Sequence, residues 1–296
     1  MKAKVKISII IVYYKKEKEI INCLTSIYKF PLNQKFEIIV VDNTNDQKFQ
    51  KRLTSKFSKV KYALSSKNIG YGAGNNLGAR QASGEYLLIL NPDTEFIDTS
   101  LNNLVSFLDR YKKVIIVGPN LVHRNGVVFS QLGSRTLTPI RAIFALTILN
   151  KILPNNPIAK NYFMYNRNID ELREVDVVPG SGLLIRKSIF NKVKGFDENF
   201  FLYFEESDLA KRIKDKFPKA KFFINPAAQI IHDWRPKDPG TKESQRIFAA
   251  SRFYYFRKHY GIIWALVVEF FARLNKFHIA FVSGIILLGC LILFLL

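Results

Sequence analysis

Residues 89–96 read ILNPDTEF. Leu87 to Leu90, leading into it, are apolar at every position, the pattern of a strand buried on both faces of a sheet. Pro92 has no N–H to give a sheet ladder, so the strand stops there. Asp93 and Glu95 follow at once. A carboxylate held at the end of a buried strand is either a turn residue or a ligand for something positive. Taken alone, the stretch fits the turn, because Asn, Pro and Asp are common turn formers.

The surrounding sequence supplies the context. KISIIIVYY is strand-like, with the first strand expected over Ile7 to Tyr14. Glu17 to Tyr28 carries Ile20, Leu24 and Ile27 at helical spacing. FEIIVV ends at Asp42, Lys48 to Phe57 suits a helix, and VKYAL is a third strand. NIGYGAGNNLGA (residues 68–79) enters a helix, EYLLIL is the fourth strand, SLNNLVSFLDRY a helix and KVIIVG the fifth strand. Strands alternating with helices predict an α/β fold whose sheet is mostly parallel and flanked by helices. Ligands of such sheets bind outside the carboxyl ends of the strands, where Asp42 and Asp93 stand. Residues 130–176 are less regular, and PIRAIFALTILNKIL reads as one surface amphipathic helix. Beyond them, VDVVPGSGLLI reads as strand, tight turn, strand. EESDLAKRIKDK is a helix with an acidic start and a basic end, as its dipole favours. AKFFI and AQIIH read as two short strands.

The chain has 296 residues, 48% of them hydrophobic, enough for one large α/β domain with an appendage. The 45 Lys and Arg against 24 Asp and Glu give a formal charge of +21, which favours anionic partners. Two cysteines, Cys23 and Cys290, provide no disulfide framework and fit a reducing compartment. The N-terminal apolar run is short and followed by Lys15 and Lys16, so it reads as a strand rather than a signal peptide. The last twenty residues, FHIAFVSGIILLGCLILFLL (277–296), carry one ionisable side chain, His278. A bilayer core takes about 20 apolar residues as a helix, so a C-terminal membrane-associated helix is expected behind a basic flank.

Three groups could carry chemistry. The glycine-rich segment has G-x-G without the third glycine of a dinucleotide site, which speaks against a nicotinamide-binding fold but allows close approach to a nucleotide. Glu205, Glu206 and Asp208 cluster at a helix start, as dipole-complementing acids or as a general base and acceptor ligands. Phe200, Phe201, Tyr203 and Phe204 ahead of them suit either a partly desolvated wall, which would raise a carboxylate pKa, or a plain core strand. His232 ends a strand. With Asp93 beside it and diphosphate oxygens, it would suit Mg²⁺ or Mn²⁺.

The order and company of these segments resemble glycosyltransferase family 2, of the GT-A fold group, and most closely its rhamnosyltransferase-like branch in bacterial surface polysaccharide synthesis. ISIIIVYY, IIVVDNTND, NIGYGAGNNLGA, GEYLLILNPDTEF, VPGSGLLIRKSIFNKVKGFDENFFLYFEESDLAKRI and IIHDW carry the likeness, over roughly Ile7 to Trp234. The resemblance implies a GT-A nucleotide-diphospho-sugar transferase domain over residues 1–235, with 130–175 as a variable acceptor-side segment, then a basic helical extension at 236–276. It implies that Asp42 contacts the nucleoside and that Asn68, Gly70 and Asn76 line the nucleotide pocket. Asp93 would be the metal carboxylate, His232 would complete the metal site, and Glu206 would stand where the catalytic aspartate usually does. The family's first strand commonly ends Thr-Tyr-Asn, where this chain has Tyr13, Tyr14 and Lys15. Glu206 is one methylene longer than aspartate, which leaves Glu205, Glu206 and Asp208 open as the base.

The expected activity is an inverting, metal-dependent transfer of a sugar, rhamnose being the one the branch suggests. The donor would be a nucleotide-diphosphate sugar, and the acceptor a hydroxyl of a glycan or a lipid-diphosphate-linked saccharide. The tail and basic surface would hold the enzyme at the cytoplasmic face of the cell membrane. A nucleic-acid binder is the reading the charge alone invites, but no zinc spacing, basic helical stripe or RNA-binding signature accompanies it. A membrane-attached glycan-binding scaffold on a degenerate enzyme fold is the alternative that the altered first strand suggests.

Overall fold

The computed structural model describes residues 4–129, 132–165, 168–232 and 241–274. Its first half is three consecutive strand–helix–strand units. The elements are β1 (Ile7–Tyr13), α1 (Glu17–Lys29), β2 (Phe36–Asp42), α2 (Gln47–Lys56), β3 (Val60–Leu64), α3 (Tyr71–Gln81) and β4 (Tyr86–Leu90). Every residue of β1 and β4 is buried, as expected of strands covered on both faces. α1 turns Ile20, Cys23, Leu24 and Ile27 inward at three- and four-residue spacing. α2 is capped by Asp46, whose carboxylate accepts from the N–H groups of Lys48 and Phe49 at 2.9 and 3.0 Å. Parallel pairing of β1 with both β2 and β4 makes β1 the point where the strand order reverses.

The second half breaks the parallel pattern. It comprises β5 (Thr94–Phe96), α4 (Asn102–Arg110), β6 (Val114–Val122), α5 (Pro139–Leu146), α6 (Ile148–Ile152) and α7 (Pro157–Phe163). After these come β7 (Arg173–Val175), β8 (Gly182–Arg186), α8 (Lys187–Lys192), α9 (Glu205–Lys216), β9 (Lys221–His232) and α10 (Lys242–Tyr260). Residues 262–274 are also helical. The sheet runs β3-β2-β1-β4-β8-β6-β9-β5, with β7 also on β9. β8 lies antiparallel between β4 and β6, and β5 and β7 pair antiparallel with β9. The sheet is therefore mixed, which corrects the expectation of a mostly parallel one. After β5 the connections no longer return the chain to the same end of the sheet for each new strand.

Three local expectations change as well. VDVVPGSGLLI is not a hairpin: β7 joins the β9 edge, while β8 inserts in mid-sheet. AKFFI and AQIIH are one strand, β9, with the Pro226–Ala228 stretch bulged between two registers against β6. The single helix expected over 139–153 breaks at Thr147. Its hydroxyl donates to the Ile143 carbonyl at 2.5 Å and caps α6 through the Leu149 N–H.

Two apolar clusters result. The larger fills the sheet and its covering helices. The smaller joins Leu137, Ala142, Ile143 and Tyr162 to Phe200, Phe204, Tyr255, Phe256, Ala265 and Val268. Residues 242–274 thus pack onto the segment leading into α9. Asp233 and Trp234, and the expected membrane helix at 277–296, lie outside the described residues. Among the described residues no helix is long and apolar enough to cross a membrane.

Candidate active site

Five elements deliver polar groups to one end of the sheet: the carboxyl ends of β1, β2 and β4, the start of β8 and the end of β9. The short strand β5, unread in the sequence, fixes the most consequential contact. Its pairing sets Thr94 opposite His232. Asp93 Oδ1 consequently lies 3.4 Å from His232 Nε2, with both side chains largely buried. Asp93 Oδ1 and His232 Nδ1 have no hydrogen-bond partner among the described residues. Lys16, just past β1, pairs with Asp93 Oδ2 at 2.9 Å. Burial opposes the Asp93 charge, but the His232 contact and the Lys16 ammonium outweigh it and hold the carboxyl well below the usual range.

A carboxylate and an imidazole side by side, with an orphaned buried oxygen, fit a divalent ion that accepts oxygen and nitrogen. No group of three or more His, Cys, Asp or Glu side chains gathers to hold a metal among the described residues. Asp93 and His232 would therefore be the protein's share of a coordination shell completed by substrate oxygens and water.

The acidic helix start resolves into three different carboxylates. Glu205 is 1% exposed, and its Oε2 has no partner. Burial and the neighbouring Glu206 charge push its pKa far up, so it keeps its proton. Glu206 is partly exposed, and burial raises its pKa against hydrogen bonds from its own N–H and that of Gly180. Asp208 is sealed from solvent and bonded to Arg212, Lys258 and His259 at 2.7, 2.5 and 2.9 Å. Burial alone would raise it, but these three partners hold it below the usual range. Asp208 is thus withdrawn from the set of candidate bases: its lone pairs are spent on tying α9 to α10.

Two residues that the sequence did not single out complete this corner. Tyr71, the first residue of α3, donates its hydroxyl to the Gly180 carbonyl at 2.8 Å. Burial first, and then the neighbouring Glu206 charge, raise its pKa far up. A Cβ added at Gly180 would collide with the Glu206 carboxylate and the Tyr71 hydroxyl. The P-G-S-G run at 179–182 was the available signal. Ahead of α9, Tyr203 and Phe204 both adopt left-handed backbone, at φ 72° and 70°. Strain of this kind persists only where packing enforces it. Here Phe248 meets Tyr203 edge-on and Phe204 at a tilt, and Phe204 also meets Tyr255. Phe200 is likewise core, leaving Phe201 and Tyr203 as the exposed aromatics of the wall.

The expected nucleotide contacts divide. Asp42 is fully buried. It accepts from the Thr44 N–H and hydroxyl, both at 2.6 Å, and from the Tyr62 hydroxyl, so it braces the loop after β2 instead of opening to the cleft. Asn76 is also committed elsewhere. Its Nδ2 donates to the Phe196 carbonyl and Glu198, and its Oδ1 accepts from the Phe196 N–H, so it anchors the 196–198 turn. Asn68 and Gly70 do stand at the N-terminus of α3. Asn68 Oδ1 accepts from the Gly70 N–H at 3.1 Å. Gly70, at φ +85°, lies so close to the Phe201 backbone that any Cβ would clash.

This geometry has parallels. The glycosyl transferase family 2 model matches residues 8–194, which take in Asp42, Asp93 and Gly180 and end before α9. The chain is 28% identical over 212 residues to the low-salt glycan biosynthesis hexosyltransferase Agl10 of Haloferax volcanii, covering 70% of this chain and 61% of that protein. It is 25% identical over 206 residues to the N-acetylglucosaminyl-diphospho-decaprenol L-rhamnosyltransferase of Mycobacterium tuberculosis, covering 66% of each. The matches thus span from about three fifths to just under two thirds of these curated relatives. Among solved structures, GalNAc-T7 with UDP, GalNAc and Mn²⁺ superposes with a TM-score of 0.62 at 16% identity, over 86% of this chain and 48% of that one. That likeness establishes a shared GT-A-like α/β fold.

Proposed function

The chain belongs to glycosyl transferase family 2, and from that premise we propose that it moves a sugar from a nucleotide-diphosphate donor to a hydroxyl of a glycan or lipid-linked acceptor. The nucleoside lies over the loops that follow β1, β2 and β3, with Asp42 holding the floor and Asn68 and Gly70 at the α3 N-terminus. The diphosphate points toward Lys16, Asp93 and His232. Asp93 and His232 hold Mn²⁺ or Mg²⁺, which when bound neutralises charge on the departing nucleoside diphosphate. The metal named with the GalNAc-T7 structure supports this assignment.

Glu206 accepts the acceptor's hydroxyl proton. As it does so, the acceptor oxygen bonds to the anomeric carbon and the bond from that carbon to the diphosphate oxygen breaks. One displacement from the opposite face inverts the centre. The observation that carries this reading is the division of labour at the start of α9. Among the described residues Glu206 is the one of the three that is not fully buried and has no ion pair, beside Glu205, whose pKa burial pushes far up, and an ion-paired Asp208. Both curated relatives bear glycan-building names, and the rhamnosyltransferase name supports a deoxyhexose donor and a lipid-diphosphate acceptor. The apolar sequence of residues 277–296 supports a reading in which the enzyme works at the cytoplasmic leaflet.

Membranes containing the full-length chain, offered a panel of nucleotide sugars with Mn²⁺ or Mg²⁺, test the proposal. Release of nucleoside diphosphate with one donor and an added lipid-linked acceptor is expected. No release with any donor, from folded protein that still binds glycans, would favour the scaffold reading.

A further inference from the structure

The helix at 262–274 is built inside out. At about 100° per residue, Ile262, Ile263, Leu266 and Phe270 share one face, and all four are exposed by at least half. Its only acidic residue, Glu269, is turned inward and 9% exposed, in an ion pair with buried Arg252 at 2.6 and 3.1 Å. Ala265 and Val268 anchor the same inner side in the smaller apolar cluster. A helix in water would do the reverse, keeping its charge outside and its large apolar groups within. Single exposed apolar residues are ordinary, but four on one arc, with Arg273 the single charge on it, mark a surface built for an apolar partner.

We propose that this face lies in the headgroup–acyl boundary of an anionic lipid bilayer, independently of whatever the following segment does. Three observations select lipid over a protein partner. The chain carries a net charge of +21, and exposed Arg273 lies within the apolar arc, so attraction to anionic headgroups accompanies apolar burial. Trp264, 41% exposed, lies on the same helix about 100° beyond Ile263, a side chain suited to the interface. The chain continues for 22 residues past 274, and 277–296 hold one ionisable group, so the helix leads straight into sequence of membrane character. The consequence for the enzyme is orientation. The helix and α10 pack on the same cluster as Phe200 and Phe204, the residues before Glu205, so seating this face fixes how α9 meets the membrane. The inference deepens the membrane-apposed reading above but rests on a different segment.

Full-length protein carrying Cys290→Ser and Ile263→Cys takes an NBD fluorophore at position 263, because Cys23 is buried. A second sample carries the label at Lys59→Cys, an exposed position preceding β3. With mixed phosphatidylglycerol–phosphatidylcholine vesicles, the label at 263 should shift to the blue and be quenched by shallow spin-labelled lipid. The label at 59 should not respond. Adding Leu266→Glu and Phe270→Glu should abolish the quenching. Protein that pellets with the vesicles while the 263 label stays unquenched would overturn the proposal, showing attachment by 277–296 alone. A label already blue-shifted without lipid and unchanged by it would overturn it in favour of cover by the chain itself or a second copy. Equal quenching on pure phosphatidylcholine would overturn the anionic requirement. Pelleting reads the tail, and donor turnover in the same samples reads the enzymatic proposal, so each can fail separately.

Discussion

Asp93 Oδ1 and His232 Nε2 face each other across 3.4 Å because a three-residue strand, β5, pairs with the end of β9. The contact joins the two halves of the fold at the point where the strand order reverses. If this pair holds the donor's metal, Asp93→Asn should abolish stimulation of turnover by Mn²⁺ or Mg²⁺ while the far-ultraviolet circular dichroism stays unchanged. The Asp93 carboxyl is held below its ordinary pKa, so its ion pair with Lys16 stabilises the fold at neutral pH and is lost in acid. Asp93→Asn should therefore lower the neutral melting temperature slightly, with Lys16 half exposed to solvent, and leave the acid limb flatter. Unchanged metal stimulation in a folded variant would return Asp93 to a turn residue.

Gly180 is fitted against Glu206 and Tyr71. Gly180→Ala should push the Glu206 carboxylate from its place and cost turnover about 10²-fold, the scale expected of a misplaced catalytic group. Donor affinity should change little. Steady-state constants for donor and acceptor separate the two effects.

Asp208 carries the charge balance between α9 and α10. Asp208→Ala removes that anion, while Lys258 keeps Asp197 and Arg212 keeps the Val193 and Gly195 carbonyls. Losing charged hydrogen bonds in this way costs about 1.5–3 kcal/mol. Urea unfolding should show that loss. A variant of normal stability would mean that these remaining partners suffice.

Much of this arrangement was legible in the sequence, for a physical reason. β1, β2 and β4 are apolar at nearly every position, so their strands, their ends and the carboxylates beyond them could be read directly. Glu205 to Lys216 announced itself by its acidic start and basic end. What stayed hidden depended on pairing. Thr94–Phe96 is too short and too polar to look like a strand, yet it makes the Asp93–His232 contact. β8 reads the same whether it forms a hairpin or inserts antiparallel between β4 and β6. Asp208 has the sequence position of a helix-start acid, and only packing of α10 shows that Lys258 pairs with it and His259 bonds to it. Tyr71 and Gly180 meet across 109 residues, which no local pattern encodes.

Glu37 offers a test of the scaffold away from the cleft. It accepts from Ser8, from the Ser83 N–H and hydroxyl, and from Lys61. Burial opposes its charge, but Lys61, Ser8 and Ser83 together bring its pKa down from 4.5 to about 2. Its contribution is present above the ordinary value and lost as pH falls through the lowered one. Glu37→Gln should destabilise by about 1.5–3 kcal/mol at pH 7. The gap to wild type should close between pH 4.5 and about 2 in chemical unfolding curves.

The most direct measurement is the pH dependence of donor turnover, by released nucleoside diphosphate, in wild type, Glu206→Gln and Glu205→Gln. Activity should rise with pH through the raised pKa of Glu206, since a base must lose its proton to act. Glu206→Gln should lower the plateau by about 10²–10⁴-fold and leave the donor KM nearly unchanged. Glu205→Gln should keep most of the rate, with the acid limb in place, because a neutral amide replaces a carboxyl that is already protonated. A near-normal plateau in Glu206→Gln beside a collapsed one in Glu205→Gln would contradict the account.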